Sequence, residues 1–296
     1  MMSRGVLIFG ARGLLGTELV AAAAGSGVEA IGVDLPECDI REPAAVGRWI
    51  REAAPALVCN AAAFTDVDAA ETRSDEAFAI NAIGAENVAL AAAGLALPLV
   101  HFSTDFVFDG EAGRPYDEFD DPAPLSVYGR SKRAGEELVL RAWPRSAVVR
   151  TAYLYGRCGR NFGSTVVARL RRGETIRADR ERRVAPTWAR RVAEAALAIA
   201  ATGRGGIWHA GCEGEATWFD FARAAADGLG IPGDIRAAST AGLRLAARRP
   251  RCSLLDDRML RLHGLPPMPS WREALRGYLE EERSGVPGVL PEGERA

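Results

Sequence analysis

Short apolar segments alternate with amphipathic segments through the first half of this 296-residue chain, and this alternation limits the fold more than any other feature. The apolar runs predict strands, and the segments between them predict helices. Parallel strands need long crossover connections, so short apolar strands separated by helices indicate a parallel sheet with helices on both faces. We therefore predict an α/β fold with a doubly wound parallel sheet. The predicted strands are residues 6–10, 28–34, 56–62, 98–105 and 146–156, and the predicted helices are 14–24, 43–54, 74–94 and 127–142.

After residue 156 the alternation gives way to short helices, loops with proline and brief strands such as GIWHAG (206–211). We predict one domain over residues 1–156 and a smaller region over 157–283, some segments of which return to the sheet. The tail SGVPGVLPEGERA (284–296) has no periodicity, and we expect it to be disordered.

Charge and cysteine usage exclude several classes of function. The formal net charge is −2, which gives no electrostatic basis for binding nucleic acid or an anionic membrane surface. The five cysteines are scattered without metal-ligand spacing, so we expect reduced thiols and no metal site. The apolar run VLIF (6–9) is too short for a signal peptide or a membrane span. We expect a cytoplasmic protein.

A glycine-rich loop, GARGLLG (10–16), lies between the first predicted strand and its helix. Glycines at this point let the backbone approach a diphosphate, which the N-terminus of the helix then binds. The pattern predicts a Rossmann-type, NAD(P)-binding domain over residues 1–156; the alternative is an ordinary glycine-rich turn. The loop residues that we expect to contact the cofactor are Gly10, Arg12, Gly13, Leu14, Leu15 and Gly16.

Two further segments are candidates for the cofactor site. Asp34 ends the second strand, where a carboxylate accepts hydrogen bonds from the adenosine ribose and repels a 2′-phosphate, which favours NADH without excluding NADPH. Asp39 and Ile40 follow at the expected position of the adenine. After the third strand, small residues leave room for the cofactor; this set is Ala61, Ala62 and Ala63, with Thr65 beyond them.

The chain contains 36 arginines and a single lysine, Lys132. Lys132 follows Tyr128 by four residues in a predicted helix, so both lie on one face. A neighbouring ammonium, helped by the positively charged nicotinamide of an oxidised cofactor, is expected to lower the pKa of a phenol, which makes Tyr128 a candidate proton donor. Ser103 and Thr104 end the fourth strand at the same edge of the sheet, where Thr104 can stabilise a developing alkoxide. The alternative is an accidental Tyr and Lys at helical spacing.

Several motifs together resemble the dTDP-4-dehydrorhamnose reductase family of extended short-chain dehydrogenases/reductases. The resemblance covers residues 5–280, and STDFVFDG and RRPRCSLLD are more specific to this family than the glycine loop. The motifs are GARGLLG, NAAAFTDVDAAE, AINA, STDFVFDG, YGRSKRAGE, VVRTAYLYG, NF (161–162), ATWFDFA (216–222), RRPRCSLLD (248–256) and WREAL (271–275).

The resemblance implies reduction of the 4-keto group of a dTDP-linked 4-keto-6-deoxysugar by NADPH or NADH. Thr104, Tyr128 and Lys132 would be the catalytic triad, with Ser103, Tyr128 and Lys132 also at the cofactor. It further implies that residues 157–283 bind substrate. The sequence leaves the oligomeric state open, with a homodimer as one alternative. The implied substrate contacts are Thr104, Asp105, Phe106, Tyr153, Asn161, Phe162 and Arg249; a surface pairing with a carboxylate is the alternative for Arg249.

Two departures from the family pattern concern the substrate. Tyr153 stands where the family usually has Trp, and DRERRVAPT (179–187) stands where the family has a segment like DQxGxPT. These departures leave open a reductase for another dTDP-deoxysugar. A non-catalytic regulatory subunit would have lost a member of the triad, and a sugar-nucleotide epimerase would show no net consumption of reductant.

Overall fold

The computed structural model of the chain describes residues 5–159, 161–239 and 245–284. The strands within these ranges are β1 (Val6–Phe9), β2 (Ala30–Val33), β3 (Leu57–Asn60), β4 (Leu99–Thr104), β5 (Ala147–Thr151), β6 (Leu154–Tyr155), β7 (Ile176–Asp179), β8 (Thr187–Trp188), β9 (Gly206–His209) and β10 (Ile235–Ala238). The α-helices are α1 (Leu14–Gly25), α2 (Pro43–Ala53), α3 (Val67–Ala70), α4 (Ser74–Phe78), α5 (Ala85–Gly94), α6 (Val127–Ala142), α7 (Phe162–Arg171), α8 (Ala189–Ala201), α9 (Trp218–Leu229), α10 (Arg258–Leu262) and α11 (Trp271–Ser284).

Six parallel strands form the main sheet in the order β2-β1-β3-β4-β5-β9. The strand order reverses direction at β1, as in doubly wound folds, so the predicted fold class is confirmed. Strand β9 pairs with β5 and lies at the edge of this sheet, although it belongs to the second half of the chain. The division into domains at residue 156 stays a prediction.

The sheet is buried on both faces because helices cover each side. Alternate residues of β1 show this: Ile8 belongs to a core with α1 and α8, and Leu7 belongs to a core with α2, α5 and α6. A strand that is buried on both faces reads as a continuous apolar run, which is the pattern of VLIF. Helices α7, α9 and α11 form a third core around Phe221, Trp271 and Tyr278.

Two predicted elements differ from the structure. The predicted strand over 146–156 is divided into β5 and β6, because Tyr153 between them adopts a positive φ of 48°, which ends the extended backbone. The predicted helix over 74–94 is helical throughout, but its middle segment Ala79–Gly84 is a π-helix. The predicted helix over 127–142 is confirmed with the same bounds. Ser284 ends α11, and the rest of the predicted disordered tail lies outside the described residues.

The helical stretch Ser74–Gly94 is long and apolar enough to cross a membrane, judged by length and composition alone. In the fold it lies against α2 and α6, and 44% of its most apolar window is buried. The core helix of an α/β protein has the same apolar character, and we interpret this stretch as such a helix.

A buried ion pair connects α6 to the sheet. Arg150 on β5 donates two hydrogen bonds of 2.8 Å from Nε and Nη2 to the two carboxylate oxygens of Glu136 on α6. Arg133 adds a third donor at 3.0 Å, and Glu136 has no exposed surface. Burial alone would raise the pKa of Glu136, but these donors lower it, so the carboxylate is charged.

The glycine loop depends on close backbone contact. Gly10 has a φ of 76°, and a Cβ there would lie 2.5 Å from the backbone nitrogen of Ala62. A Cβ on Gly16 would overlap the carbonyl oxygen of Gly10. Gly16 therefore lets α1 begin directly under the loop.

We predict that Gly16→Ala lowers the free energy of unfolding by about 1–3 kcal/mol, because the added methyl group displaces the Gly10 loop. Urea unfolding measures the change. Gly25→Ala is the matched control, since Gly25 is exposed at the end of the same helix and a Cβ there meets nothing within 4 Å. Equal stabilities of the two variants would contradict the close contact at Gly16.

Candidate active site

A crevice of about 680 Å³ lies at the carboxyl ends of the central strands, where open α/β sheets bind their ligands. Its wall contains residues from all the motifs in the first half of the chain, together with residues from the second half. The predicted site residues in its wall are Gly10, Gly13, Leu14, Leu15, Asp34, Asp39, Ile40, Ala61, Ala62, Ala63, Thr65, Ser103, Thr104, Asp105, Phe106, Tyr128, Lys132, Tyr153, Asn161 and Phe162.

Three predicted site residues do not line the crevice. The Arg12 guanidinium donates to the Leu35 carbonyl and forms an ion pair with Glu37, both on the protein surface. Gly16 lies beneath the loop. Arg249 donates from both terminal nitrogens to Asp68, at 3.0 and 2.7 Å, and this lowers the pKa of Asp68 to about 2.

The first turn of α1 is available to an anion. Gly13 is the N-cap residue of this 12-residue helix and has no side chain to occupy the first-turn N–H groups. These groups carry the partial positive charge of the helix N-terminus. The arrangement fits the diphosphate of a dinucleotide. Gly10 packs against the backbone of Ala62 and has no side chain, so the backbone of the loop is not covered at this point.

The expected ribose and adenine end of the crevice carries carboxylates. Asp34 accepts hydrogen bonds from the backbone N–H groups of Arg12 (2.9 Å) and Leu35 (2.8 Å), which fix its orientation. Asp39 forms a forked ion pair with Arg41, which lowers the pKa of the Asp39 carboxyl. Ile40 beside Asp39 is buried. A fixed carboxylate at Asp34 fits the hydroxyls of an unphosphorylated ribose.

Helix α6 brings Tyr128 and Lys132 to Thr104 at the end of β4. Ser126 caps this helix by accepting from the Gly129 N–H at 3.1 Å. Gly129 also permits close packing, because a Cβ there would overlap the Phe106 carbonyl oxygen. Lys132 Nζ donates to the carbonyl oxygen of Phe102 at 2.7 Å. The helix start is therefore fixed against β4 and the segment that follows it.

Burial controls the pKa values of Tyr128 and Lys132. Desolvation lowers the pKa of Lys132 to about 8, with Glu136 acting in the opposite direction, so the ammonium is mainly charged at neutral pH. Desolvation raises the pKa of Tyr128 to about 12, although a hydrogen bond with Thr104 acts against it. The lowered phenol pKa that the sequence predicts depends on Lys132 together with a positively charged nicotinamide; in the protein alone burial is the largest influence and it raises the pKa of Tyr128. A high pKa keeps Tyr128 protonated, as a proton donor must be.

Asn81 was not assigned a role from sequence, although AINA belongs to the motifs. Its side chain accepts from the Phe64 N–H at 2.8 Å and donates to the Phe64 carbonyl and to Ser131 Oγ, both at 3.0 Å. It lies in the π-helical segment and is buried. Asn81 thus connects the loop after β3 to helix α6.

The second half of the chain supplies an aromatic wall. Trp218 lies 4.3 Å from Phe162 and 5.7 Å from Tyr153 between ring centroids, and all three line the crevice. Trp218 belongs to the motif ATWFDFA, but its place beside the NF motif is visible only in the fold. Asn161 caps α7 by accepting from the Ser164 N–H at 3.0 Å and donates to the Gly156 carbonyl at 2.8 Å, so its amide is already bonded within the protein.

Among the residues that the structure describes, no group of three or more His, Cys, Asp or Glu side chains is arranged to hold a metal ion. His101 and His209 are fully buried, and desolvation lowers the pKa of both. We interpret them as neutral structural histidines.

Comparisons with known proteins identify the family. The family model for the RmlD substrate binding domain matches residues 3–284. A probable dTDP-4,6-dihydroxy-2-methyloxan-3-one 4-ketoreductase of Streptomyces antibioticus is 42% identical over 276 residues, covering 91% of this chain and 92% of the relative. A dTDP-4-dehydrorhamnose reductase of Mycobacterium tuberculosis is 42% identical over 281 residues, covering 92% and 91%.

A solved structure is also similar over nearly the whole chain. The dTDP-4-dehydrorhamnose reductase from Bacillus anthracis, in complex with NADP, superimposes with a TM-score of 0.91 at 35% identity and covers 95% of this chain and 100% of its own. The family model and these relatives match nearly the whole length of the chain, which also contains the glycine loop and the Thr-Tyr-Lys residues. The chain therefore belongs to the RmlD substrate binding domain family, that of the dTDP-4-dehydrorhamnose reductases.

Proposed function

We propose that this protein reduces the 4-keto group of a dTDP-4-keto-6-deoxyhexose, converting dTDP-4-dehydrorhamnose to dTDP-L-rhamnose. The observation that carries the proposal is the meeting of Thr104, Tyr128 and Lys132 in one crevice beside a loop suited to a diphosphate. The cofactor is NADPH or NADH, and the residues that would hold it are those of the glycine loop, the Asp34 end and the small-residue loop after β3.

The side chains divide the work of the reduction. Bound NADPH or NADH supplies the hydride. Tyr128 is protonated and donates its hydroxyl proton to the carbonyl oxygen as that oxygen gains negative charge. Thr104 donates a hydrogen bond to the same oxygen. Lys132 provides a fixed positive charge one helical turn away, which stabilises the tyrosinate that remains.

A residue in the aromatic wall supports a second candidate function, that of a 4-ketoreductase for another dTDP-deoxysugar. Tyr153 replaces the usual Trp of the family in the wall with Phe162 and Trp218. The loop 179–187 is held by an ion pair between Asp179 and Arg182, which the family segment DQxGxPT does not offer. The relative named as a 4-ketoreductase of a different dTDP sugar is as similar as the rhamnose enzyme.

We further propose that the enzyme acts in the cytoplasm as a homodimer, with neither nucleic acid nor a membrane as a partner. The nearly balanced charge of −2 gives no electrostatic attraction to nucleic acid or to an anionic membrane surface. A regulatory subunit without catalysis is less consistent with the chain, because all three triad residues are present.

We predict that Lys132→Arg lowers kcat by at least about 100-fold, since the larger guanidinium cannot replace a buried ammonium bonded to Phe102. The assay follows oxidation of NADH and NADPH with dTDP-4-dehydrorhamnose generated in situ. Arg130→Lys, the reverse exchange at an exposed position of the same helix, is the control and should retain turnover.

No turnover by the wild-type protein, despite cofactor binding, would contradict the rhamnose assignment. Turnover with other dTDP-4-keto sugars in the same assay would then support the second candidate. Conversion of the sugar without oxidation of added cofactor would indicate an epimerase.

We predict that Asp34→Asn raises the ratio of kcat/KM for NADPH to that for NADH at least about tenfold, because it removes a carboxylate that repels the 2′-phosphate. Steady-state kinetics with each cofactor measure the ratio. Glu42→Gln makes the same change in charge at an exposed residue outside the crevice and should leave the ratio unchanged. An unchanged ratio in Asp34→Asn would place the ribose elsewhere.

A further inference from the structure

Thr104 has one hydroxyl proton, and more than one group in the crevice requires it. Thr104 Oγ1 lies 3.1 Å from Asp105 Oδ1 and donates to it. The backbone N–H of Phe106 donates to Thr104 Oγ1 at 3.2 Å. In the proposed reduction, the same hydroxyl must donate to the carbonyl oxygen of the substrate. An ionised Asp105 accepts hydrogen bonds only, so Thr104 cannot serve both acceptors.

We propose that Asp105 is a positioning residue that supports the reduction in its protonated form, by donating to Thr104 and freeing the Thr104 proton for the carbonyl oxygen of the substrate. This inference rests on the proposed reductase function. It concerns the hydrogen-bond direction between two adjacent side chains and goes beyond the triad itself.

A neutral Asp105 can donate to Thr104 and still accept from Ser253. A proton on Oδ1 is donated to the free lone pair of Thr104 Oγ1, whose other lone pair accepts from Phe106. Oδ2 continues to accept from Ser253 Oγ. Thr104 then has its own proton left to donate to the carbonyl oxygen of the substrate, and Tyr128 forms a hydrogen bond with the same hydroxyl. No proton is gained or lost by Asp105 during the reaction.

The surroundings of Asp105 favour the neutral form. The residue is 1% exposed, and burial raises its pKa to about 7, although hydrogen bonds from Ser253, from Thr104 and from the backbone N–H groups of Asp105 and Phe106 act to lower it. The negative charge of Asp105 raises the pKa values of Tyr128 and Tyr153, which face it from α6 and from the segment after β5. Protonation of Asp105 therefore also removes a negative charge from beside the developing alkoxide.

The cations near this site act mainly on other groups. Lys132 on α6 donates to the carbonyl oxygen of Phe102, and Arg249 forms a forked ion pair with the carboxylate of Asp68. Arg182 is paired with Asp179, and both arginines act electrostatically on Tyr153. Hydrogen bonds rather than an ion pair thus hold Asp105.

The experiment is the pH dependence of kcat for the full-length wild type, Asp105→Asn and Ser253→Ala, with dTDP-4-dehydrorhamnose and saturating cofactor. For the wild type we expect kcat to fall as the pH rises through about 7, where Asp105 loses its proton. The Asn amide donates to Thr104 at every pH, so this decline should be absent from its profile. Ser253→Ala removes a donor that favours the carboxylate, so the decline should move to higher pH.

A decline near pH 7 that persists in Asp105→Asn would overturn the inference, as would an unshifted or acid-shifted decline in Ser253→Ala. A purely structural role, or a role only in holding a sugar hydroxyl, would change stability or KM without these changes in profile. The carboxyl carbon of Asp105, followed by carbon-13 NMR in the wild type, supplies a test that needs no turnover. A titration midpoint near 7 supports the inference, and one near the ordinary value of 3.8 overturns it, whatever the true substrate is.

Discussion

The buried ion pair between Glu136 and Arg150 fixes the position of the helix that carries the catalytic chemistry. Tyr128, Lys132 and Glu136 are spaced by four residues, so they lie along one face of α6. Glu136 is attached to β5 through the fork of Arg150, and Arg150 lies over the Phe108 ring at 5.1 Å. Removing one partner of such a pair costs about 3–5 kcal/mol, because the other charge stays buried. The position of Tyr128 relative to the sheet therefore depends on the ion pair between Glu136 and Arg150.

The same face of α6 explains the composition of the chain. Arginine serves where a broad, permanent cation is acceptable, as at Arg150, where its fork matches a carboxylate. At position 132 the cation is 3% exposed and has a single short bond to a carbonyl. A guanidinium there would leave several donors without partners in a dry site. The single lysine therefore occupies a buried position that suits an ammonium and not a guanidinium.

Much of the fold could be predicted because it follows from local patterns. The apolar runs, the glycine loop and the bounds of α6 depend on residues close together in sequence, and the structure agrees with them. Tyr128 and Lys132 share a turn of helix, so their proximity was also predictable. The positive φ at Tyr153 and the π-helical segment around Asn81 depend on what packs against them, and the sequence carries no local signal for either.

The remaining differences come from contacts between distant segments. Arg249 meets Asp68 across 181 residues, and Trp218 reaches the crevice only because the second half of the chain folds over the sheet. The pKa of Tyr128 in the protein alone differs from the expectation for the same reason. Spacing along a helix predicts which charges are near, but it does not predict how completely water is excluded.

Exclusion of water shifts the pKa values of three side chains in the crevice, Lys132, Asp105 and Tyr128. It lowers the pKa of Lys132 to about 8 and raises that of Asp105 to about 7, so both move towards neutrality, and it raises that of Tyr128 to about 12. These directions suit a reduction, which requires a phenol that still holds its proton and no carboxylate charge beside the new alkoxide. The ammonium keeps its charge near neutral pH because Glu136, fixed by Arg150, opposes its desolvation. The ion pair beneath the helix thus sets both the geometry of the site and its remaining positive charge.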